Sequence, residues 1–158
     1  KAIRRQRQMC IRDRYDPVEC EIITIENYEK RIPIARENFI RAEKEEQITL
    51  LEGDAKDVLE TLTEPFDLIF MDAAKGQYLN FLPRVLELLQ PEGILISDNV
   101  LQDGDIIESR FAVTRRNRTI HKRMREYLYT LTHSEELTTA VLPVGDGITI
   151  STKKGRKA

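Results

Sequence analysis

Short apolar or β-branched runs alternate with amphipathic stretches along most of this chain, and this alternation constrains the fold more than any other feature. Four runs are typical of buried strands: EIITIE (21–26), QITLLEGD (47–54), FDLIFMDA (66–73) and GILISDNV (93–100). Helical spacing lies between them in 27–42, 56–62 and 77–89, and a turn is predicted at 91–93. Strands that alternate with helices in this way indicate an α/β fold with a parallel sheet and helices on both faces.

The C-terminal third follows a different pattern. A polar loop over 102–118 precedes a predicted helix over 119–132, and two strands, 137–144 and 147–153, flank the turn Gly145-Asp146-Gly147. Two parallel strands need a connection of about a dozen residues. Because this connection is far shorter, we expect a mostly parallel sheet with an antiparallel strand at its C-terminal end.

Charge and composition exclude some classes of protein. A formal net charge of −2 excludes a polycation that binds nucleic acid through bulk charge, although a local basic patch is compatible with it. No apolar run approaches the ~20 residues of a membrane helix, and the basic N-terminus lacks the apolar core of a secretory signal. Cys10 and Cys20 form no CxxC motif, which predicts a reducing compartment. We therefore expect a cytoplasmic protein with no membrane contact.

Residues 1–14, KAIRRQRQMCIRDR, differ from the rest of the chain. They are basic and show neither a strand pattern nor a capped helix. Gln8 to Arg14 also matches the translation of a transposon end used in sequencing libraries, CAGATGTGTATAAGAGACAGN. We therefore predict that 1–14 is an extraneous tail and that 15–158 is the C-terminal part of a single domain. The alternative is a natural, partly helical basic tail.

Polar residues end all four predicted parallel strands: Glu26, Asp54, Asp72 and the pair Asp98-Asn99. In open α/β sheets, ligands bind outside the carboxyl ends of the strands. Glu26 is placed to accept hydrogen bonds from a ribose diol, and the small residues around Asp54, Gly53 and Ala55, allow close approach of a flat ring. The alternative for each residue is a strand-ending turn or a helix cap, which Asp and Asn favour.

Three oxygen-bearing side chains at neighbouring strand ends predict a metal site. Asp72, Asp98 and Asn99 offer two carboxylates and one amide, a set that suits Mg²⁺, Mn²⁺ or Ca²⁺. Lys75 follows Asp72 by three residues. Near a metal-bound hydroxyl its charged form is disfavoured, so it is a candidate proton acceptor. The alternative is a surface lysine that pairs with Asp72.

These motifs resemble those of a known family. IFMDAAKGQY and LISDNVL, preceded by TIE and LEGDA and followed by LPVGDGITIS, are similar to the class I, metal-dependent O-methyltransferases of the catechol and caffeoyl-CoA type. The resemblance covers about residues 20–154, and the DAAKGQY form looks most like bacterial members that include tRNA 5-hydroxyuridine methyltransferase. It implies a Rossmann-like methyltransferase sheet, S-adenosylmethionine and Mg²⁺ or another hard divalent cation as cofactors, and a homodimer.

The resemblance also implies a role for each candidate residue. Glu26 would hold the ribose of S-adenosylmethionine, and the loop 53–55 would contact its adenine. Asp72 would serve both the cofactor and the metal, Asp98 and Asn99 would complete the metal site, and Lys75 would be catalytic. The expected substrate is 5-hydroxyuridine in tRNA. The alternatives are a small catechol or caffeoyl-CoA-type phenol and, outside this family, a nucleotide-binding oxidoreductase or a non-catalytic domain.

The sequence departs from the family pattern upstream of Glu21. The family's Gly-rich cofactor loop should lie there, but the first glycine of the chain is Gly53. The resemblance then implies that the N-terminal helices and the first, central strand are missing, which would leave backbone groups of the neighbouring strands unpaired. We predict that this chain binds the cofactor poorly, is inactive as it stands, and folds less well than the whole domain.

The stretch RRNRTIHKRMREY (115–127) concentrates positive charge. Its first arginines, Arg115, Arg116 and Arg118, are candidate substrate contacts, because a local cluster of arginines suits RNA phosphates. A solvated helix face or a dimer contact is the alternative. We expect His121 and His133 to lie on the surface. The helical spacing of the aromatic residues predicts core positions for Tyr78, Phe81 and Tyr127.

Overall fold

The computed structural model describes residues 20–101, 104, 106, 109, 114 and 117–155. Its elements follow the predicted alternation. In chain order they are β1 (Ile22–Glu26), α1 (Ile32–Arg41), β2 (Ile48–Glu52), α2 (Ala55–Thr61), β3 (Phe66–Met71), a 3₁₀ turn (Lys75–Gln77), α3 (Tyr78–Leu88), β4 (Leu89–Asp98), α4 (Arg118–His133), β5 (Leu137–Leu142) and β6 (Ile148–Lys153). The predictions for residues 1–14 lie outside the described part of the chain.

The largest differences from the predicted element boundaries are at the starts of the first helix and the fourth strand. The first helix starts at Ile32 rather than at 27, because Pro33 is favourable only in a first helical turn, where its missing N–H is not needed. The fourth strand starts at Leu89 rather than at 93. The turn predicted at 91–93 is a bulge inside this strand, since Leu89 pairs with Phe66 and Ile94 pairs with Leu68.

The chain divides into two compact units, 1–58 and 59–158. In the first unit, β1 and β2 form a parallel pair in which Glu26 lies opposite Glu52. Phe39 of α1 and Ile48 of β2 are the buried apolar residues described there. This unit therefore places the carboxyl ends of two parallel strands side by side.

The second unit contains a four-stranded sheet in the order β3-β4-β6-β5. β3 and β4 are parallel, whereas β6 is antiparallel to both β4 and β5. The prediction of an α/β fold with an antiparallel C-terminal strand is confirmed. β6 lies between β4 and β5, so the short 143–147 link joins strands that are neighbours in space.

Helices α3 and α4 cover one face of this sheet. Tyr127 of α4 contacts Ser97 of β4, and Thr139 of β5 donates a hydrogen bond of 2.9 Å to the carbonyl oxygen of Leu131 in α4. The buried core on this face includes Tyr78, Phe81, Leu82, Val85, Leu88, Leu95, Met124, Tyr127, Leu131 and Leu137. The predicted core positions of Tyr78, Phe81 and Tyr127 are therefore confirmed.

The opposite face of the same sheet is less well covered. Successive side chains of a strand point to opposite faces, so Leu68, Phe70 and Leu142 point away from Ser97 and its neighbours. They are 50%, 47% and 37% exposed. Among the described strands, β3 pairs with β4 alone, so its outer edge is also open. The sequence predicts helices on both faces of the sheet. Within the described residues, helices cover one face of this sheet.

The two histidines differ in environment. His121 is 2% exposed, so the prediction that it lies on the surface is wrong. It occupies the inward side of α4 with Met124 and Tyr127, where the apolar spacing of the helix outweighs the polarity of one imidazole. His133 is exposed, as predicted, and stacks on Tyr129 with the ring centroids 3.9 Å apart. Within the described residues, no helix combines the length and apolarity that a membrane crossing requires.

Candidate active site

The first unit brings Glu26 and the loop 53–55 together. The backbone N–H of Gly53 donates a 3.2 Å hydrogen bond to the carbonyl oxygen of Glu26. Gly53 has φ +148°, and a Cβ there would lie 3.2 Å from Val58 Cγ2, so the tight exit from β2 favours glycine. The two predicted cofactor-contacting segments therefore occupy adjacent strand ends.

Both acidic side chains of this unit also have local partners. Glu26 accepts a 2.9 Å hydrogen bond from the backbone N–H of Tyr28 and forms a 3.4 Å ion pair with Arg31. Asp54 Oδ1 accepts a 2.9 Å hydrogen bond from the backbone N–H of Lys56. Asp54 thereby caps the N-terminus of α2. The helix-cap alternative for Asp54 thus describes its contact correctly. A carboxylate has further acceptor sites, so these local contacts leave a ligand-binding role open to test.

The second unit places Asp72, Asp98 and Asn99 at one edge of its sheet. β3 ends at Met71 and β4 at Asp98, and Met71 lies opposite Ser97 in the parallel register. Asp72 and Asp98 therefore occupy corresponding positions at the ends of two adjacent strands, and adjacent strands lie about 4.8 Å apart in a sheet. Burial and then the negative charge of Asp72, with a smaller effect of Asp98, raise the pKa of the Tyr78 hydroxyl. The negative charges of both carboxylates therefore act on the Tyr78 hydroxyl.

Lys75 reaches the same place from the 3₁₀ turn. Its Nζ donates a 2.7 Å hydrogen bond to Asn99 Oδ1, across 24 residues of sequence. Asn99 has φ +60°, a left-handed conformation that asparagine tolerates better than most residues. Its own backbone N–H donates to Asp98 Oδ1 at 2.8 Å. The structure therefore joins the predicted catalytic lysine directly to a predicted metal ligand.

The hydroxyl groups of two buried tyrosines contact the ends of β3 and β4. The Tyr78 hydroxyl lies 3.2 Å from the carbonyl oxygen of Met71 and 2.9 Å from that of Asp98. The Tyr127 hydroxyl lies 2.6 Å from Ser97 Oγ, and burial raises the pKa of Tyr127. The sequence predicts that both tyrosines are packing residues, but it does not predict these hydroxyl contacts. The available signal was that a buried phenol normally needs a hydrogen-bond partner.

The turn between β5 and β6 holds the segment that follows Asn99. Val100 and Leu101 donate backbone hydrogen bonds of 3.0 and 2.9 Å to the carbonyl oxygens of Gly147 and Asp146. Gly147 has φ +86°, and a Cβ there would lie only 2.3 Å from Leu101 Cγ. Glycine is therefore required at this position by both conformation and space.

The basic stretch 115–127 is partly engaged inside the molecule. Arg123 donates a 2.5 Å hydrogen bond to the carbonyl oxygen of Gly76, and Arg125 donates one of 3.1 Å to that of Ile106. Arg118 begins α4, whereas Arg115 and Arg116 lie outside the described residues. Two of the guanidinium groups thus help to hold loops in place, which favours a structural role for this part of the stretch.

The donor set at the end of β3 and β4 fits a hard divalent cation in its chemistry. Two carboxylates and one amide oxygen provide the ligand types that Mg²⁺ and Mn²⁺ prefer. Asn99 Oδ1 accepts one hydrogen bond from Lys75 and has a second lone pair for a cation. No group of three or more His, Cys, Asp or Glu side chains with a metal-binding arrangement occurs in the described part of the chain, so this set depends on its asparagine.

Comparison with known proteins identifies the family of this chain. The model of the O-methyltransferase family matches residues 14–154. Caffeoyl-CoA O-methyltransferase 1 of Eucalyptus globulus is 34% identical over 134 residues, which cover 81% of this chain and 53% of that protein. Catechol O-methyltransferase of Niastella koreensis is 34% identical over 96 residues, which cover 58% of this chain and 43% of that protein. This chain therefore spans about half the length of these relatives.

A solved structure supports the same assignment. Methyltransferase PaMTH1 of Podospora anserina, bound to S-adenosylhomocysteine, superposes with a TM-score of 0.75 and 30% identity. The match covers 86% of this chain and 62% of that one. The resemblance identified in the sequence motifs is confirmed at the level of the family and the fold. The chain belongs to the O-methyltransferase family and has its mixed α/β fold.

Proposed function

We propose that this chain is part of an enzyme that transfers the methyl group of S-adenosylmethionine to a hydroxyl of a small phenolic compound with two adjacent oxygens. The observation that carries this proposal is the meeting of Asp72, Asp98, Asn99 and Lys75 at the carboxyl ends of β3 and β4, with Lys75 Nζ 2.7 Å from Asn99 Oδ1. Oxygen donors beside an amine suit the binding and deprotonation of a hydroxyl.

The three oxygen-bearing residues are the proposed holders of a divalent cation, Mg²⁺ by the family resemblance. Such a cation favours the deprotonated form of a hydroxyl and fixes its direction. Asp72 and Asp98 supply the negative charge, and the neutral amide of Asn99 supplies a third oxygen. A cation held by these three residues would keep coordination positions for two adjacent substrate oxygens.

Lys75 is the proposed proton acceptor. An amine within hydrogen-bond reach of a substrate hydroxyl can take its proton as a general base. The substrate hydroxyl would give its proton to Lys75 Nζ, and its oxygen would attack the methyl carbon while the sulfur–methyl bond breaks to leave a thioether. The hydrogen bond to Asn99 holds Nζ next to the proposed cation site, and this positioning contributes to the rate.

Glu26 and the loop 53–55 are the proposed contacts to the ribose and the adenine of the cofactor. We further propose that tight cofactor binding needs sequence upstream of Tyr15. Two observations support this. Residues 1–52 contain no glycine. Among the described strands, β3 pairs only with β4, and its Leu68 and Phe70 are exposed. A strand at that edge would satisfy its unpaired backbone groups.

A small phenolic substrate has more support than the tRNA substrate expected from the DAAKGQY motif. The relatives reported above are named for catechol and caffeoyl-CoA. The guanidinium groups of Arg123 and Arg125 donate to backbone carbonyls of this chain, which indicates a structural role for them. A compact diol also presents the two adjacent oxygens that the proposed cation would bind.

A methyl-transfer assay tests this function. The protein would be extended with the genomic sequence upstream of the Tyr15 codon and incubated with labelled S-adenosylmethionine, Mg²⁺ and one acceptor at a time. We expect transfer to a catechol, loss of transfer with EDTA, and little transfer to a matched phenol with a single hydroxyl. Methylation of tRNA with steep salt dependence, but not of a catechol, would contradict the proposed substrate.

The 158-residue chain itself tests the dependence on upstream sequence. Isothermal titration with S-adenosylmethionine should show weak binding or none. Micromolar affinity would contradict the proposal that an upstream segment completes the cofactor site.

A further inference from the structure

We propose that Tyr78 is a positioning residue that holds the ends of β3 and β4 at the separation needed for Asp72 and Asp98 to share one cation. This inference rests on the metal site in the proposed function and adds a residue to it. Tyr78 is 0% exposed and is the first residue of α3, three positions after Lys75. It therefore connects the loop that carries Lys75 with both strand ends.

The Tyr78 hydroxyl lies where the pairing between β3 and β4 ends. The last described register pair between β3 and β4 is Met71 with Ser97. Beyond it, the carbonyl oxygens of Met71 and Asp98 both lie within hydrogen-bond distance of the Tyr78 hydroxyl, at 3.2 and 2.9 Å. Because one phenol proton is shared between two carbonyls on adjacent strands, the hydroxyl resists a splaying of the strand ends.

The position of the Tyr78 ring is itself fixed. Tyr127 of α4 packs edge-on against it, with the ring centroids 5.2 Å apart and the planes at 88°. Both rings are fully buried. A hydroxyl on a locked ring loses little conformational entropy in its contacts, so it can set a distance more sharply than an exposed side chain.

Tyr127 provides a matched control. Its hydroxyl also makes a buried hydrogen bond, but to the side chain of Ser97 within a single strand. Tyr127→Phe therefore removes a buried hydroxyl contact of the same kind without removing the link between β3 and β4. Tyr129→Phe serves as a surface control, because Tyr129 lies on the same helix and is 63% exposed.

The test measures the affinity of the upstream-extended protein for Mn²⁺ by electron paramagnetic resonance, together with its thermal midpoint. For Tyr78→Phe we expect Mn²⁺ binding about 10-fold weaker, the usual order for loss of a group that orients metal ligands. Tyr127→Phe should shift the thermal midpoint by a similar amount to Tyr78→Phe but weaken Mn²⁺ binding less than about 3-fold. Tyr129→Phe should change neither quantity.

The outcomes separate the two proposals. If the unsubstituted extended protein binds no Mn²⁺, the proposed metal site is wrong and the role of Tyr78 is wrong with it. If the unsubstituted extended protein binds Mn²⁺ and Tyr78→Phe binds it equally well, or if Tyr78→Phe and Tyr127→Phe weaken it equally, only the role of Tyr78 is overturned.

A second measurement covers the case in which Tyr78→Phe does not fold. The unsubstituted extended protein would be labelled with ¹³C at the tyrosine Cζ atoms and titrated with Mg²⁺. The Tyr78 signal should shift with metal because its hydroxyl contacts the carbonyl of a ligand residue, while the Tyr129 signal should stay in place. A Tyr78 signal that ignores Mg²⁺ as completely as Tyr129 does would overturn the inference.

Discussion

In both units, parallel strands end at acidic residues. The contacts that these residues make differ between the two units. In the first unit, the side chains of Glu26 and Asp54 accept hydrogen bonds from groups two to five residues away, and these contacts are exposed. A long-range contact there is between backbone groups, from Gly53 N–H to the Glu26 carbonyl oxygen. In the second unit, Asn99 receives a partner 24 residues away and the carbonyl of Asp98 receives one 20 residues away. The same pattern, an apolar run that ends on an acidic residue, thus gives a locally closed strand end in one unit and a long-range cluster in the other.

Long-range contacts between polar side chains are stronger evidence of function than local contacts. A local contact such as the cap of α2 by Asp54 is what any aspartate before a helix would make. A lysine, an asparagine and a buried phenol that meet from distant parts of the chain need a reason beyond local propensity. The proposed chemistry is therefore better supported in the second unit than in the first.

The largest effect is expected for Lys75→Ala. Loss of a proton acceptor should lower turnover by about 10²- to 10⁴-fold, with little change in cofactor affinity. Steady-state kinetics and cofactor titration of the upstream-extended protein would measure both quantities. Lys56→Ala is the matched control from the first unit, since the described contact of Lys56 uses only its backbone N–H. Unchanged turnover in Lys75→Ala would remove this residue from the mechanism.

Asp98→Asn in the second unit and Asp54→Asn in the first should affect metal binding differently. Asp98→Asn removes charge from the proposed cation site and should weaken Mn²⁺ binding by about 100-fold, at the upper end of what altered metal environments cost. Asp54→Asn should leave Mn²⁺ binding unchanged and keep the helix stable, because asparagine caps helices as well as aspartate does. Equal losses from the two variants would show that the strand ends do not differ in the way described here.

The turn that supports the second cluster should be sensitive to one methyl group. Gly147→Ala would place a Cβ 2.3 Å from Leu101 Cγ in a left-handed conformation, and we expect it to cost about 2–4 kcal/mol of stability. Gly145→Ala has φ +60° and no atom within 4 Å of its added Cβ, so it should cost only about 1 kcal/mol. Urea denaturation would measure both. Equal costs would argue against close packing of this turn on Leu101.

The smallest effect is expected at the exposed ion pair of the first unit. Arg31 and Glu26 are 3.4 Å apart, and their side chains are 61% and 23% exposed. Arg31→Ala should therefore change the free energy of unfolding by less than about 1 kcal/mol, and less still at high salt. A loss of several kcal/mol in urea denaturation would mean that Glu26 depends on Arg31 far more than a surface pair allows.

Much of the fold follows from local patterns. The strand and helix alternation reflects side-chain periodicity, and the antiparallel last pair follows from a link too short for a crossover. The position of β6 between β4 and β5 does not follow, because chain order alone does not decide which strands become neighbours. The start of α1 at Ile32 was also missed, since helical spacing continued across the turn at Tyr28–Arg31.

The candidate site divides in the same way. Asp72, Asp98 and Asn99 were predictable as a group because parallel strands end at a common edge. The hydroxyl contacts of Tyr78, the Lys75–Asn99 bond and the inward-facing Arg123 were not, because each depends on a partner at least 20 residues away or on a backbone carbonyl. The burial of His121 shows the same limit for a polar residue on an apolar helix face.

The location of a bound divalent cation tests the account most directly. Crystals of the protein soaked in Mn²⁺ would give an anomalous signal at the metal. We predict one peak at the carboxyl ends of β3 and β4, within about 2.3 Å of oxygen atoms of Asp72, Asp98 and Asn99. A peak elsewhere, or no peak at millimolar Mn²⁺, would contradict the claim that these residues hold a catalytic cation beside Lys75.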